Sequence, residues 1–282
     1  GYVIADLLER WFPGQVLRID GSMSPSPTAT EVGSRVEAIR RWGEVSLGGF
    51  SVHEFETYLW TRQVATRDDR AAGVAGGQIV ARLWHPGIWF AGPLNSEGWL
   101  QLRLDSERAT SGGRLHRTPG VGGYFGFNPA PWFTRLNMEF GAGDRVDVQA
   151  DRLGRGADGF IEAILRGSLG GLGVESEQKF QHAVIGRGGR RVLADSAARW
   201  LGVLHLSARD SLRAVWQAGR YRRAADAALG IAAAQEDSRT LSLVFQHRVG
   251  LGRNLSVGAT RATIEPGGQR KDEVFLKAAF SL

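Results

Sequence analysis

Apolar and polar residues alternate along much of this chain with a period of two, which predicts β-strands that carry one apolar and one polar face. In Trp99–Asp105 three leucines alternate with glutamine, arginine and aspartate. Arg135–Phe140 and Arg145–Asp151 show the same alternation, and the glycine-rich Gly141–Asp144 lies between them. The pattern therefore predicts a hairpin with a tight turn at Gly141–Asp144.

Similar alternation predicts further strands on both sides of this hairpin. They are predicted at Val16–Met23, Glu31–Arg41, Gln78–His85, Trp200–Leu206 and Leu212–Ala218, and around Leu243 and Val257. Pro86-Gly87 is expected to end one strand, and Glu265–Asp272 is expected to form a longer polar loop. Two stretches stay open: the outward face of Glu44–Ala65, and whether the alanine-rich Ala224–Ala234 is strand or helix.

Strands of about ten residues are long enough to cross an outer membrane when tilted. Counting such segments gives about 14 to 16 strands, so we predict for residues 15–282 an all-β fold, a transmembrane antiparallel up-and-down β-barrel of about 16 strands with both ends on the periplasmic side. Ile4, Leu7, Leu8 and Trp11 have helical spacing and Pro13 follows them. Residues 1–14 are therefore predicted to form a short helix and linker from an upstream periplasmic helical region.

The composition limits the alternatives. The chain has no cysteine, which excludes disulfides and cysteine-based metal or redox sites. Its mean hydropathy of −0.20 would suit a soluble protein, but alternating barrel strands average to a similar value. The 39 glycines, nine tryptophans and 13 phenylalanines suit curved strands and aromatic girdles. A soluble β-protein would need a second apolar core face.

Net charge is +6 at pH 7, and nearly all the cationic side chains are arginines. Such a balance allows contact with lipopolysaccharide phosphates, an anionic polymer or nucleic acid. For a barrel we expect outer-membrane lipids and lipopolysaccharide as partners, and no nucleic acid.

Catalytic motifs are absent from the sequence: there is no GxSxG elbow, no HExxH motif and no P-loop. The six histidines are scattered without metal-ligand spacing. We therefore predict no enzyme activity, no metal and no cofactor. An outer-membrane lipase or acyltransferase is the alternative, with His205 or His247 as its candidate histidine.

The polar strand faces form the informative set of residues. Charged side chains cost little toward water or a cross-strand partner, but several kcal/mol toward lipid. We predict a hydrophilic pore, with the alternative that these side chains form a paired structural network. The predicted pore-lining residues are Gln101, Arg103, Asp105, Arg135, Asn137, Glu139, Asp147, Gln149, Asp151, Arg213, Gln246 and Lys277, with Gln217 on the same face.

The last stretch, Lys271–Leu282, alternates strictly and places Phe280 two positions before the terminal Leu282. It resembles the C-terminal strand of bacterial outer-membrane β-barrels, although that strand usually ends in an aromatic residue. The resemblance implies a location in the outer membrane and recognition by the barrel-assembly machinery.

The chain as a whole resembles the C-terminal porin domain of bacterial exopolysaccharide exporters of the Pel, poly-N-acetylglucosamine and cellulose types. The likeness rests on barrel length, mixed charges on the polar faces and a helix at the start. It implies a pore that passes secreted exopolysaccharide, with periplasmic or lipoprotein secretion partners. A barrel enzyme, a structural anchor and a general porin remain the alternatives.

Overall fold

The computed structural model describes residues 15–25, 30–47, 50–66, 78–109, 113–250 and 253–280. Within them fourteen strands follow one another. They are β1 (Gln15–Pro25), β2 (Thr30–Leu47), β3 (Phe50–Thr66), β4 (Ile79–Gly92), β5 (Ser96–Arg108), β6 (Leu115–Phe127), β7 (Phe133–Asp147), β8 (Arg152–Leu169), β9 (Leu172–Arg187), β10 (Arg190–His205), β11 (Asp210–Arg223), β12 (Ala234–Gly250), β13 (Arg253–Glu265) and β14 (Gln269–Phe280).

The strands form one sheet in which the spatial order equals the chain order, from β1 to β14. The pairs whose register is resolved, β1 to β5 and β10 to β14, are all antiparallel. The predicted all-β, up-and-down architecture is therefore confirmed. The expected number of about 16 strands is wrong for the described residues, because the strands are longer than ten residues, from 11 in β1 to 18 in β2.

Two predicted breaks lie inside strands. Pro86 and Gly87 belong to β4, where Leu59 pairs with Pro86 and Tyr58 with Gly87. A Cβ on Gly87 would lie 2.6 Å from the ring of Tyr58, so the missing side chain makes room for a neighbouring ring. Gly141–Asp144 lies within β7, so the predicted hairpin at this position is wrong.

The turns lie elsewhere. Residues 148–151 connect β7 to β8, and Asp151 there has a φ of 46°, a conformation that aspartate tolerates. The loop predicted at Glu265–Asp272 is shorter, because β14 already begins at Gln269. The open stretch Ala224–Ala234 contains a single 3₁₀ turn at Ala227–Leu229. The helix predicted within residues 1–14 lies outside the described residues.

The chain divides into two compact units. The first comprises the residues up to Phe125, Glu139–Ala157 and Ile185–Arg190. The second comprises Gly126–Met138, Asp158–Val184 and the residues from Arg191 onward.

In the first unit the two faces of the sheet differ sharply in polarity. Leu100, Leu102 and Leu104 on β5 share one face and are half exposed, at 50%, 53% and 55%. On the opposite face of the same strand, Asp105 is only 3% exposed. The sheet thus leaves leucines uncovered and encloses a carboxylate, which is the reverse of a water-soluble core.

The second unit has the same polarity. Residues that pair directly across strands share a face, so Trp216 and Leu241 lie together, as do Val257 and Leu276. Leu276 is 73% exposed. We call this side of each unit the apolar face and the opposite side the polar face. Among the described residues no helix is long and apolar enough to cross a membrane.

The apolar face gives a first prediction. Replacing Leu102 with Arg should lower the free energy of unfolding in lipid vesicles by about 2–4 kcal/mol, because a guanidinium would then point into hydrocarbon. The matched control is Gln101→Arg, one residue away on the polar face, with an expected cost of about 1 kcal/mol for the lost hydrogen bond. Denaturant titration measures both. Equal losses would contradict the assignment of the faces.

Candidate functional site

A cleft of about 500 Å³ on the polar face of the first unit combines aromatic rings with carboxylates. We call it the aromatic–carboxylate cleft. It is lined by Glu37, Ile39, Glu54, Glu56, Tyr58, Trp60, Trp89, Trp99 and Gln101.

Strand register brings these residues together from four strands. Glu37 of β2 pairs with Trp60 of β3, Glu56 of β3 pairs with Trp89 of β4, and Trp89 pairs with Trp99 of β5. Each of these pairs lies on a single face because directly opposed residues point to the same side of a sheet. Alternation along each strand then adds the remaining side chains.

Hydrogen bonds and ion pairs fix part of the cleft. The Tyr58 hydroxyl donates to Oε1 of Gln101 at 3.1 Å. Nε of Arg41 donates to Glu56 at 2.9 Å and lies 3.8 Å from Glu54. The cleft thus offers flat apolar ring surfaces beside hydrogen-bond acceptors. Those groups suit a ligand with both C–H faces and hydroxyl groups.

Asp105 anchors the polar face next to the cleft. Its carboxylate is 2.8 Å from Nε2 of His85 and accepts a hydrogen bond from Nε of Arg103 at 3.1 Å. The His85 ring lies 4.8 Å from the Trp60 ring, measured between centroids. Asp105 therefore links β4 to β5 and, through His85, positions Trp60.

The polar face of the second unit carries a chain of ionic contacts, which we call the ionic chain. Arg135 donates to Asn137 at 2.7 Å, and Asn137 donates to Glu162 at 2.7 Å. Lys179 lies 2.6 Å from Glu162 and 3.3 Å from Glu177. Arg199 completes the chain at 2.9 Å from Glu177. Glu162, Lys179 and Arg199 also line a cavity of about 560 Å³.

Most of the predicted pore-lining residues lie on the polar faces of the two units. Gln101, Arg103 and Asp105 lie at the cleft and its anchor, and Arg135 and Asn137 lie in the ionic chain. Asp147 is fully buried at the last position of β7, whereas Glu139 is exposed. Arg213, Gln217, Gln246 and Lys277 lie on β11, β12 and β14, opposite Val244, Thr240, Ser211 and Ser256 respectively.

Two predicted residues do not lie in strands. Gln149 and Asp151 belong to the turn between β7 and β8, because β7 continues through the predicted turn and ends later. Asp151 contacts His116 at 2.8 Å and accepts a hydrogen bond from the backbone N–H of Arg114 at 3.1 Å. The hydrogen bond with His116 has the largest effect on the pKa of Asp151, and the backbone hydrogen bond from Arg114 adds to it. Together they hold this pKa below its ordinary value. Asp151 thus ties this turn to β6.

The alternation pattern did not identify the aromatic side chains of the cleft. Glu54, Glu56, Tyr58 and Trp60 have the same parity, but Phe55 and Leu59 compete with them for the apolar face. Trp89 was missed because Pro86-Gly87 was expected to end the strand. The alternation of Glu56, Tyr58 and Trp60 was the usable signal.

The histidines bear on the alternative of an outer-membrane lipase. Nδ1 of His182 lies 2.8 Å from Oγ of Ser196, but within the described part of the chain His182 has no carboxylate partner. His247 contacts Asp210 at 2.7 Å, and Ser207 donates to that carboxylate rather than to the histidine. His205 lies 3.7 Å from Glu175. None of these arrangements places a serine, a histidine and a carboxylate in series.

Comparison with known proteins adds little. No protein-family model matches the chain, and no curated protein matches it. The loop L8 deletion mutant of OmpT, an outer membrane protein of Vibrio cholerae, aligns over 95% of this chain and 99% of its own, at 8% identity and a TM-score of 0.36. In-vitro folded OmpT aligns over 98% and 97%, at 8% identity and a TM-score of 0.33. Likeness this weak does not establish a relationship.

A second prediction concerns Asp105. Replacing it with Asn should lower the free energy of unfolding by about 1.5–3 kcal/mol, because hydrogen bonds to a buried charged group are lost. The control is Glu107→Gln, on the same face of β5 but partly exposed, with an expected change below about 0.5 kcal/mol. Denaturant titration of both variants tests the role of Asp105. It is contradicted if the two variants behave alike.

Proposed function

We propose that the chain is a transmembrane β-barrel of the bacterial outer membrane, closed by pairing of β14 with β1. The sequential antiparallel sheet and the exposed leucines and valines of its apolar face support this proposal. Exposed hydrophobic surface of this extent is a liability in water and a requirement in lipid. An even number of strands places both ends of the barrel on one side of the membrane.

The lengths of the connections support an orientation. Connections that follow even-numbered strands are short, from two residues to the five of 128–132. Connections that follow odd-numbered strands include the ten residues 224–233, the longest connection in the part of the chain that the structure describes. Outer-membrane barrels have short periplasmic turns and longer external loops. We therefore assign the end that carries 224–233 to the cell exterior.

We propose further that the barrel is a pore for a hydrophilic polymer, most simply a secreted polysaccharide. The aromatic–carboxylate cleft is the observation that carries this proposal. A sugar ring presents C–H groups on its faces and hydroxyls around its rim. Trp60, Trp89 and Trp99 can pack against the faces, while Glu54 and Glu56 accept hydrogen bonds from the hydroxyls.

Passage also requires that each contact be left easily. We expect the cleft to bind a sugar weakly, because three of its residues are glutamates that water also solvates. In the ionic chain, the carboxylates Glu162 and Glu177 are balanced by Lys179 and Arg199. A wall of near-neutral, already paired groups suits a neutral or weakly charged polymer.

A third prediction tests closure and membrane residence. The purified chain should require detergent, and its mobility on a denaturing gel should change on boiling, because a closed barrel resists detergent unfolding at room temperature. A chain that stays monomeric in plain buffer would contradict membrane residence. A chain whose mobility does not change on boiling would contradict closure.

A fourth prediction tests the cleft. In a planar bilayer the barrel should conduct ions, and cellohexaose added to one side should block the current transiently. The double variant Trp60→Ala/Trp89→Ala should weaken this block about tenfold, since each lost ring contact contributes about 0.5–1.5 kcal/mol.

The matched control is Trp84→Ala, which removes a 46% exposed tryptophan from the opposite face of β4. This control should leave the sugar block unchanged. Absence of any conductance would favour a structural anchor. Conductance with a sugar block that is insensitive to Trp60 and Trp89 would favour a general porin.

A further inference from the structure

A groove on the apolar face of the second unit lies on the opposite side of the sheet from the ionic chain. It has a volume of about 390 Å³, within the range of about 300–1,000 Å³ typical of ligand pockets. Ala198 and Ala218, which pair directly, form its floor, and Phe180 and Trp216 line it with aromatic rings. Methyl groups beside half-exposed rings leave a trough that an acyl chain fits.

Arginines border this groove on one side only. Arg239 pairs with Ala218, and Arg220 pairs with Asp237 one row further along the strands. Both arginines line the groove. On the other side of Ala218, Trp216 pairs with Leu241. Along β11 the face therefore changes from apolar at Trp216 to cationic at Arg220.

The cationic rows extend over four neighbouring strands on the same face. Arg220 and Arg222 share Asp237, at 3.1 and 2.7 Å. Arg261 and Arg270 share Asp272, at 2.9 and 2.7 Å. Arg239 and Glu265 lie on the same face. We call these residues the arginine cluster; with Arg239 and Glu265 included, it contains five arginines and three carboxylates.

Arg239 differs from the other arginines of this cluster in its surroundings. Its side chain is exposed, and in the described part of the chain it has no carboxylate partner. A guanidinium at the border of a lipid-facing surface is costly without an anion. Its planar donor geometry suits two oxygens of one phosphate group.

We propose that this groove binds a phosphorylated, acylated lipid of the outer leaflet, with an acyl chain on Ala198 and Ala218 and a head-group phosphate on Arg239 and Arg220. The cluster lies at the ends of β11 to β14 that adjoin the connection 224–233, which is the end assigned above to the exterior. Charge complementarity and the continuity of the apolar trough with the arginine rows select this occupant. The proposal depends on residence in the membrane, and it does not depend on the pore.

The experiment uses the full chain in detergent micelles and native mass spectrometry with added diphosphoryl lipid A. A one-to-one complex is expected, and Arg220→Gln/Arg239→Gln should weaken it about tenfold or more through the lost charge-assisted hydrogen bonds. Ala218→Trp, which fills the trough and keeps the arginines, should weaken it as well. Arg253→Gln, on the same face at the opposite end of β13, should leave it unchanged.

Three further probes separate the possible sources of binding. Dephosphorylated lipid A should bind much more weakly than the diphosphoryl form. Phosphatidylethanolamine should compete poorly, because its phosphate is a diester with one negative charge beside an ammonium group. Inorganic phosphate at millimolar concentration should not compete, because it lacks the acyl chain. Equal binding of the phosphorylated and dephosphorylated lipids, or an unaltered complex in both groove variants, would overturn the proposal. The planar-bilayer current of each variant should stay normal, so a failure here is distinct from a failure of the pore.

Discussion

The fixed relation between strand register and side-chain direction is the constraint on which the whole structure depends. Side chains alternate along a strand and directly opposed residues share a face, so one register fixes both surfaces of the sheet at once. A slip of one residue between β11 and β12 would move Leu241 and Leu243 to the polar face and bring Ser242 and Val244 to the apolar one. Exposed leucines and buried carboxylates therefore have a single cause.

A few residues on the two faces determine the shape of the cleft, the cavity and the groove. Asp105 can be enclosed because His85 and Arg103 satisfy its carboxylate, and the same contacts hold His85 against Trp60. In the second unit, Ala198 and Ala218 are small on the apolar face, while Ala197 and Gly219 are small on the polar face. Because the side chains are small on both faces of the sheet there, room is left for a cavity on one side and a groove on the other.

The sequence predicted the faces well and the ends of the strands poorly. Alternation in Trp99–Asp105 identified both surfaces because leucine and charged residues differ so strongly in polarity. Pro86-Gly87 misled because glycine marks a chain break in one context and a close approach of a ring in another. Gly141–Asp144 misled for a related reason, since β7 passes through it and ends only at Asp147. Trp60 was missed because aromatic residues suit either face, and Trp89 was missed because it follows Pro86-Gly87.

The contrast between aromatic residues on the two faces has a functional consequence. On the apolar face Trp84 and Trp216 contribute hydrophobic surface, for which lipid is a sufficient partner. On the polar face Trp60 and Trp89 are partly buried and lie among Glu37, Glu54 and Glu56 in the aromatic–carboxylate cleft. Ring surface beside carboxylates suits a partner that is apolar on its faces and polar on its rim. Among hydrophilic polymers a sugar chain meets both requirements, whereas a simple ion meets only the second.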